Sequence, residues 1–287
     1  MPGPIELDPT LSALAAGRRV FDRFVLVRIL GRNQTGVSWL TQDDAAGRPA
    51  ALRFLAESLA RDLVALADVK LEIEALSALL HPAFAERYEF HQEGQMVAIS
   101  REYVPGAPLG GLREVRLKGC YDADELLPLI EPLGAAFRHL HDEAKLVHRG
   151  LHPGHFVLTP DDEIRVVDCG IAHALLEASG RRGDGAPDGP LSAYASPQLA
   201  SGHAPGPADD VHAFGAVLYD LLAGSPLKRS DGDKRTTIAE ARAASNRWGE
   251  EVPAVWERVI AECMADDAAR RPRRIADVIE QLRSGPG

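Results

Sequence analysis

The chain has 287 residues of which 45% are hydrophobic, enough to bury a sizeable core in one large domain or two lobes. A formal net charge of −10 and a pI near 5.5, with no lysine/arginine block rising above that acidic background, argue against nucleic acid as a partner. Three cysteines, Cys120, Cys169 and Cys263, lie far apart without paired metal spacing, which argues against a disulfide framework or a zinc knuckle and points to a reducing, cytoplasmic setting. No apolar run approaches the roughly 18 residues of a membrane span, and the N-terminus lacks the basic-then-apolar pattern of a secretory signal, so no membrane insertion is expected.

Residues 1–20, rich in proline, alanine and glycine, read as a flexible leader. From Arg23 to Leu40, "RFVLVRILGRNQTGVSWL" carries two β-rich runs joined by a glycine-containing turn, and "RPAALRFL" (48–55) is a third strand. Val69, Ile73, Leu76 and Leu80 recur at helical spacing, and His81-Pro82 is expected to end that helix. Two further strands, "ERYEFHQ" and "QMVAISREYV", flank a turn at Gly94.

Beyond "PGAPLGG" (105–111) the pattern turns helical, with a stripe of Leu126, Ile130, Leu133, Phe137 and Leu140. One short β pair interrupts it, "FVLTPDDEIRVVD", with "TPDD" as its turn. "SGRRGDGAPDGP" (179–190) reads as a mobile surface loop, and "KRSDGDKR" (228–235) as a solvated charged one. Helical stripes return at Phe214, Val217, Leu218 and Leu221, at Val255, Val259, Ile260 and Cys263, and at Ile275, Val278, Ile279 and Leu282.

Taken in order, the motifs of residues 21–284 resemble the eukaryotic-like Ser/Thr protein kinases of bacteria. The glycine-rich loop of that family is matched by "GRNQTGVS", which keeps Gly31 and Gly36 but has Asn33 for the middle glycine and Ser38 for the valine. In "AALR" (50–53), Arg53 stands at the lysine position, with Glu72 as the helix glutamate that would pair with it. "ISREYVPG" is similar to the strand and hinge that receive adenine. It puts Arg101 at the gatekeeper position before Glu102, and Arg101 is expected at the back of the nucleotide pocket. Ala51, Val104 and Val157 complete the apolar part of that nucleotide site by the same resemblance.

The catalytic loop of the family, H-R-D-x-K-P-x-x-N, is matched by "HRGLHPGH" (148–155). His148 is kept, but Gly150 stands where the proton-accepting aspartate would be, His152 replaces the lysine, and His155 replaces the asparagine that helps hold a second magnesium. Neutral imidazole is a poor ligand for that hard ion. In "VVDCG" (166–170), Asp168 is the retained metal-binding acid, and Cys169 fills the phenylalanine slot.

"SPQ" (196–198) stands for A-P-E, with Leu191 where the family carries its loop threonine; Ser179 and Ser192 remain as hydroxyls of the degenerate activation loop 171–195. Asp210 and Arg271 match structural positions, Asp210 bracing the catalytic-loop backbone and Arg271 bonding Gln198.

These readings imply an α+β, bilobal protein-kinase-like fold. Its N-lobe (21–103) holds a small antiparallel sheet and one main helix, and its C-lobe (104–284) is larger and mainly helical. Loss at the lysine, aspartate, asparagine and middle-glycine positions together implies a pseudokinase. Such a chain is expected to be a non-enzyme acting as a scaffold or regulatory module for a protein partner such as an active kinase, with no cofactor beyond weak ATP and magnesium binding. The rival reading is a nucleotide-binding phosphotransferase of unusual mechanism using Asp168. A metal sensor on His152, His155 and Asp168 is a third class, though no metal site is assigned from the sequence.

Overall fold

The computed structural model describes residues 14–33, 35–175, 193–227, 236–244 and 249–284. The loop 179–190, Leu191, Ser192, the charged segment 228–235 and most of the leader lie outside the described residues. The chain forms two compact units. The described residues of the first lie within 14–80, 85–104 and 171–175, and those of the second within 81–84, 105–170 and 193–284.

In the first unit, strands β1 (Arg19–Val20), β2 (Phe24–Asn33), β3 (Gly36–Asp43), β4 (Arg48–Leu55), β5 (Glu89–Glu93) and β6 (Met96–Glu102) form an antiparallel sheet of order β1-β2-β3-β4-β6-β5. Successive strand side chains point to opposite faces, so Phe24, Leu26, Val37, Trp39, Leu52, Phe54 and Ala98 gather on one side as a core. The β3–β4 turn is tied by Asp43, whose Oδ1 accepts from the amides of Ala45 and Ala46. Arg23 forks onto both oxygens of the same carboxylate at 2.8 and 2.7 Å, and this holds the Asp43 pKa below its ordinary value. At the β2–β3 turn, Gly36 has φ +145° and faces β4 so closely that a Cβ there would lie 1.9 Å from the Phe54 carbonyl oxygen.

This unit also holds the helices α1 (Glu57–Ala60) and α2 (Leu63–Leu76). Asp62 caps α2 by accepting from the amides of Val64 and Ala65. The sequence places this helix correctly but overextends it, since α2 stops at Leu76 and Leu80 is 71% exposed while Leu79 is buried. The reason is local. Ser77 Oγ donates to the Glu74 carbonyl, and the amides of Ser77, Ala78 and Leu79 bond three residues back instead of four. That tighter winding turns Leu79, and not Leu80, toward the core.

The second unit holds the three-stranded sheet β7 (Ala107–Pro108), β8 (Phe156–Leu158) and β9 (Ile164–Val166). Its helices are α3 (Leu109–Val115), α4 (Ala123–Ile130), α5 (Leu133–Arg138), α6 (Pro197–Ala200), α7 (Pro207–Ala223), α8 (Ile238–Ala244), α9 (Ala254–Cys263) and α10 (Ile275–Arg283). The stripe Leu126, Ile130, Leu133, Phe137 and Leu140 is buried throughout, although it runs across α4, α5 and the π-helical turn His139–Glu143 and not along one helix. Pro132, just ahead of α5, accounts for the break. Phe214 and Leu221 on α7 have no exposed surface, and α7 ends on Gly224 in the left-handed conformation.

Gly31 and Gly36 bracket the same turn but carry different constraints. Gly31→Ala is expected to change unfolding free energy by under about 0.5 kcal/mol, because nothing lies within 4 Å of its added Cβ. Gly36→Ala should cost about 3 kcal/mol or more in urea unfolding, since both backbone strain and a clash oppose it.

Candidate active site

In the first unit, the positions that depart from the kinase pattern bond to one another. Register places Ser38 opposite Arg53 across β3 and β4, and Asn33 opposite Gly36 at the turn. Arg53 donates from Nη2 to Asn33 Oδ1 at 2.6 Å, from Nη1 to Ser38 Oγ at 3.2 Å, and also to the Thr35 hydroxyl. Asn33 Oδ1 further accepts from the Thr35 amide at 3.1 Å and hydroxyl at 2.8 Å, a side-chain turn that fixes the strand end. A lysine ammonium is a single point of charge, whereas a guanidinium fork can serve several acceptors held in a plane.

Ala51 pairs with Arg101 between β4 and β6, and Ala51 and Val104 are buried. Arg101 is half-buried and its Nη1 donates to the Glu102 carbonyl at 2.9 Å. Glu102 is pinned in turn, because its amide donates to Glu86 O and its carboxylate accepts from the Glu86 amide. Glu72 lies half-buried on α2.

In the second unit, the loop 148–155 hangs from Asp210 on α7. This carboxylate has no exposed surface and accepts from the His148 amide at 2.7 Å, the Arg149 amide at 2.9 Å and His141 Nε2 at 2.8 Å. Arg149 takes φ +62° there. His148 Nε2 donates to the Val167 carbonyl at 3.2 Å, and the Gly170 amide donates to the His148 carbonyl at 3.0 Å, so the loop and the segment 166–170 are stitched together. Burial pushes the His148 pKa down, against the pull of Asp210.

Gly150 follows with no side chain to offer. His152 then caps the short helical turn Pro153–His155, its Nδ1 accepting from the Gly154 amide at 3.0 Å. The folded-back ring leaves no room at residue 154, where a Cβ would meet His152 Cε1 at 2.6 Å. His155 packs against that ring with centroids 3.8 Å apart, and its Nε2 lies 4.0 Å from Asp168 Oδ2. Burial, with His152 adding to it, holds the His155 pKa well below the ordinary imidazole value. Asp168 has φ +61° and a side chain 25% exposed, while Cys169 and Val157 are buried.

His152, His155 and Asp168 are thus brought close together, although the described residues contain no group of three or more histidine, cysteine, aspartate or glutamate side chains able to hold a metal. At the start of α7, Arg271 Nη2 donates to Gln198 Oε1 at 2.5 Å, and its remaining nitrogens donate to the carbonyls of Ala208 and Ala265.

Several participants escape sequence reasoning. Thr35 had a signal, since "NQTG" offers a hydroxyl two residues after an asparagine in a turn. His141, which supports Asp210, had none. Nor did Arg242, whose guanidinium donates to the carbonyls of Leu222, Glu250 and Tyr121, or Asp220, which joins Arg113 and the Tyr194 hydroxyl.

Residues 24–282 match the model of the protein kinase domain. The chain belongs to the protein kinase domain family. It is 27% identical over 276 residues to the serine/threonine-protein kinase PrkC of Bacillus subtilis, covering 93% of this chain and 41% of that protein. It is 26% identical over 271 residues to the serine/threonine-protein kinase PknA of Mycobacterium tuberculosis, covering 92% of this chain and 62% of that protein. This chain therefore spans between about two-fifths and three-fifths of the length of these relatives. Among solved structures, the Mycobacterium tuberculosis PknI kinase domain superposes with a TM-score of 0.74 at 23% identity, over 95% of this chain and 99% of that one. The fold is that of a bacterial eukaryotic-like Ser/Thr kinase domain, as its motif order implies.

The expectation of a non-enzyme is corrected by the same findings. The family is one of kinases, and relatives spanning more than nine-tenths of this chain are named serine/threonine-protein kinases. Counting lost side chains overweights the base, since phosphoryl transfer draws mainly on positioning and electrostatics.

Asp210→Ala leaves the buried His148 amide, the part-buried Arg149 amide and His141 without their acceptor, so it should lower unfolding free energy by about 3–5 kcal/mol in chemical denaturation. Asp210→Asn, which keeps one acceptor oxygen, should lose less.

Proposed function

We propose that the chain is a nucleotide-dependent phosphotransferase of the protein kinase family that transfers to serine or threonine hydroxyls of a protein without a carboxylate base at residue 150. The observation that carries this reading is the pairing of a kept frame with one kept acid. Asp168 is partly exposed, in a left-handed backbone conformation, on a segment bonded to the loop that Asp210 suspends.

General base catalysis contributes about 10²–10⁴-fold to such reactions, so its absence lowers the rate by that order without abolishing it. Nucleotide affinity is expected to be low, because Asn33 adds a side chain to the turn, Ser38 replaces an apolar contact, and Arg53 is already engaged with both. Asp168 suits a single magnesium, but His155 offers nitrogen where a second magnesium would want oxygen.

A regulatory role toward a protein partner such as an active kinase is a second reading, favoured by one observation. Leu63, Val64 and Leu71 on α2 are 81%, 59% and 63% exposed, and their spacing puts them on one side of the helix.

Phosphate incorporation into the chain itself and into an acceptor protein, followed by mass spectrometry with ATP, tests the main reading. Wild type should give slow product on serine or threonine, Asp168→Asn none, and Gly150→Asp a rate raised about 10²–10⁴-fold. Gly150 does not carry a positive φ, so an aspartate fits its backbone. Absence of product from both wild type and Gly150→Asp would overturn it.

A further inference from the structure

Two arginines of the second unit line one pocket, and neither has a hydrogen-bond or ion-pair partner among the described residues. Arg138 ends α5 and Arg273 stands just ahead of α10, and both are exposed. The pocket, of about 260 Å³, also takes in Arg274 and Asp142, with an apolar wall of Phe137 and Ile275, both buried.

The cations outweigh what is set against them. Arg274 Nη1 lies 3.4 Å from Asp142 Oδ2, a loose pair beyond the usual hydrogen-bond length, and Asp142 is the one acid among the lining residues. Helix α10 opens at this wall with Arg274 at its N-cap and no side-chain cap, so its first amides add positive potential where arginines already stand. Asp277, the acid of its first turn, lines a separate groove with Ala254 and Arg258. The neighbouring start of α7 is already satisfied, since Asp209 accepts from the Gly206 amide. Three guanidinium groups and a helix N-terminus facing a single carboxylate repel one another until an anion sits between them. In a chain of net charge −10 this is a local reversal of sign.

We infer that this pocket binds a phosphate monoester carried on a serine or threonine of a protein. Its volume falls below the range of about 300–1,000 Å³ that encloses drug-sized ligands, which leaves room for one phosphorylated side chain and not for a nucleotide. A phosphomonoester offers three acceptor oxygens and close to two charges, enough for both free guanidinium forks and the α10 amides, whereas a carboxylate matches one fork. Phe137 and Ile275 then face the carbons of the ester side chain. An anionic lipid surface is disfavoured, because the net charge of the chain opposes its approach. The pocket shares no residue with the loop 148–155 or the segment 166–170, so the inference does not rest on the phosphotransferase reading.

The test is calorimetric titration of the full chain, without nucleotide, with the blocked tripeptide alanine-phosphothreonine-alanine. The same titration with the unphosphorylated peptide, with inorganic phosphate and with phosphatidic acid vesicles separates the sources of the anion. The expected result is one site for the phosphopeptide with a Kd of about 1 mM or tighter, inorganic phosphate binding more weakly and competing, and no binding of the unphosphorylated peptide. Arg138→Gln and Arg273→Gln should each weaken it at least about tenfold, the loss of a charge-assisted bond. Arg258→Gln, which removes the same charge from an exposed pair with Glu262 on α9, should leave it unchanged. The unfolding midpoint checks that each variant is folded. No phosphopeptide binding, binding that survives both pocket substitutions, inorganic phosphate binding as tightly as the peptide, or binding to vesicles alone would overturn the inference. With no ATP present, none of these outcomes bears on phosphotransfer.

Discussion

The carboxylate of Asp210 is the constraint on which the second unit's chemistry depends. One fully buried side chain holds the amides of His148 and Arg149, and it is itself held by His141. An acid in that position is costly to bury and is tolerated because every donor around it is satisfied. It fixes where the chain enters the loop 148–155, whose bonds to residues 167 and 170 then fix Asp168. The frame can therefore outlast changes in the groups it carries, which is why Gly150 sits in a loop that is otherwise fully braced.

Both groups of substitutions share a second physical feature: in each, altered residues bond to close neighbours in the chain or across the sheet. Arg53 is accommodated by Asn33, Thr35 and Ser38, all within reach because register sets Ser38 across from it. His152 is accommodated by Gly154, which supplies an amide and, lacking a Cβ, the space for the ring. Restoring one family residue alone at such a position leaves its neighbours with unmatched donors or acceptors, so single reversions and combined ones should not add.

The sequence carries the fold because strand alternation, helical stripes and motif order all report the same backbone. "RPAALRFL" is β4 to the residue, and the stripe Leu126 to Leu140 is buried even though Pro132 breaks its helix. What it hides is set by rotamers and register. Nothing in the spacing says that Arg53 turns to Asn33, that Ser77 retunes the end of α2, or that the His152 ring folds back over Gly154. The inference from missing side chains to missing activity also fails for a physical reason, because a base contributes a factor to the rate while positioning and electrostatics contribute the larger share.

The most direct test of the central claim, that the altered site still takes nucleotide through Asp168, is the unfolding midpoint with and without millimolar ATP and a divalent cation. A ligand present at about ten times its Kd stabilises the folded state by about 1.4 kcal/mol, or roughly 3 °C for a chain of this size. A rise of that order that requires the cation and vanishes in Asp168→Asn is the expected result. No rise with magnesium or with manganese would contradict it.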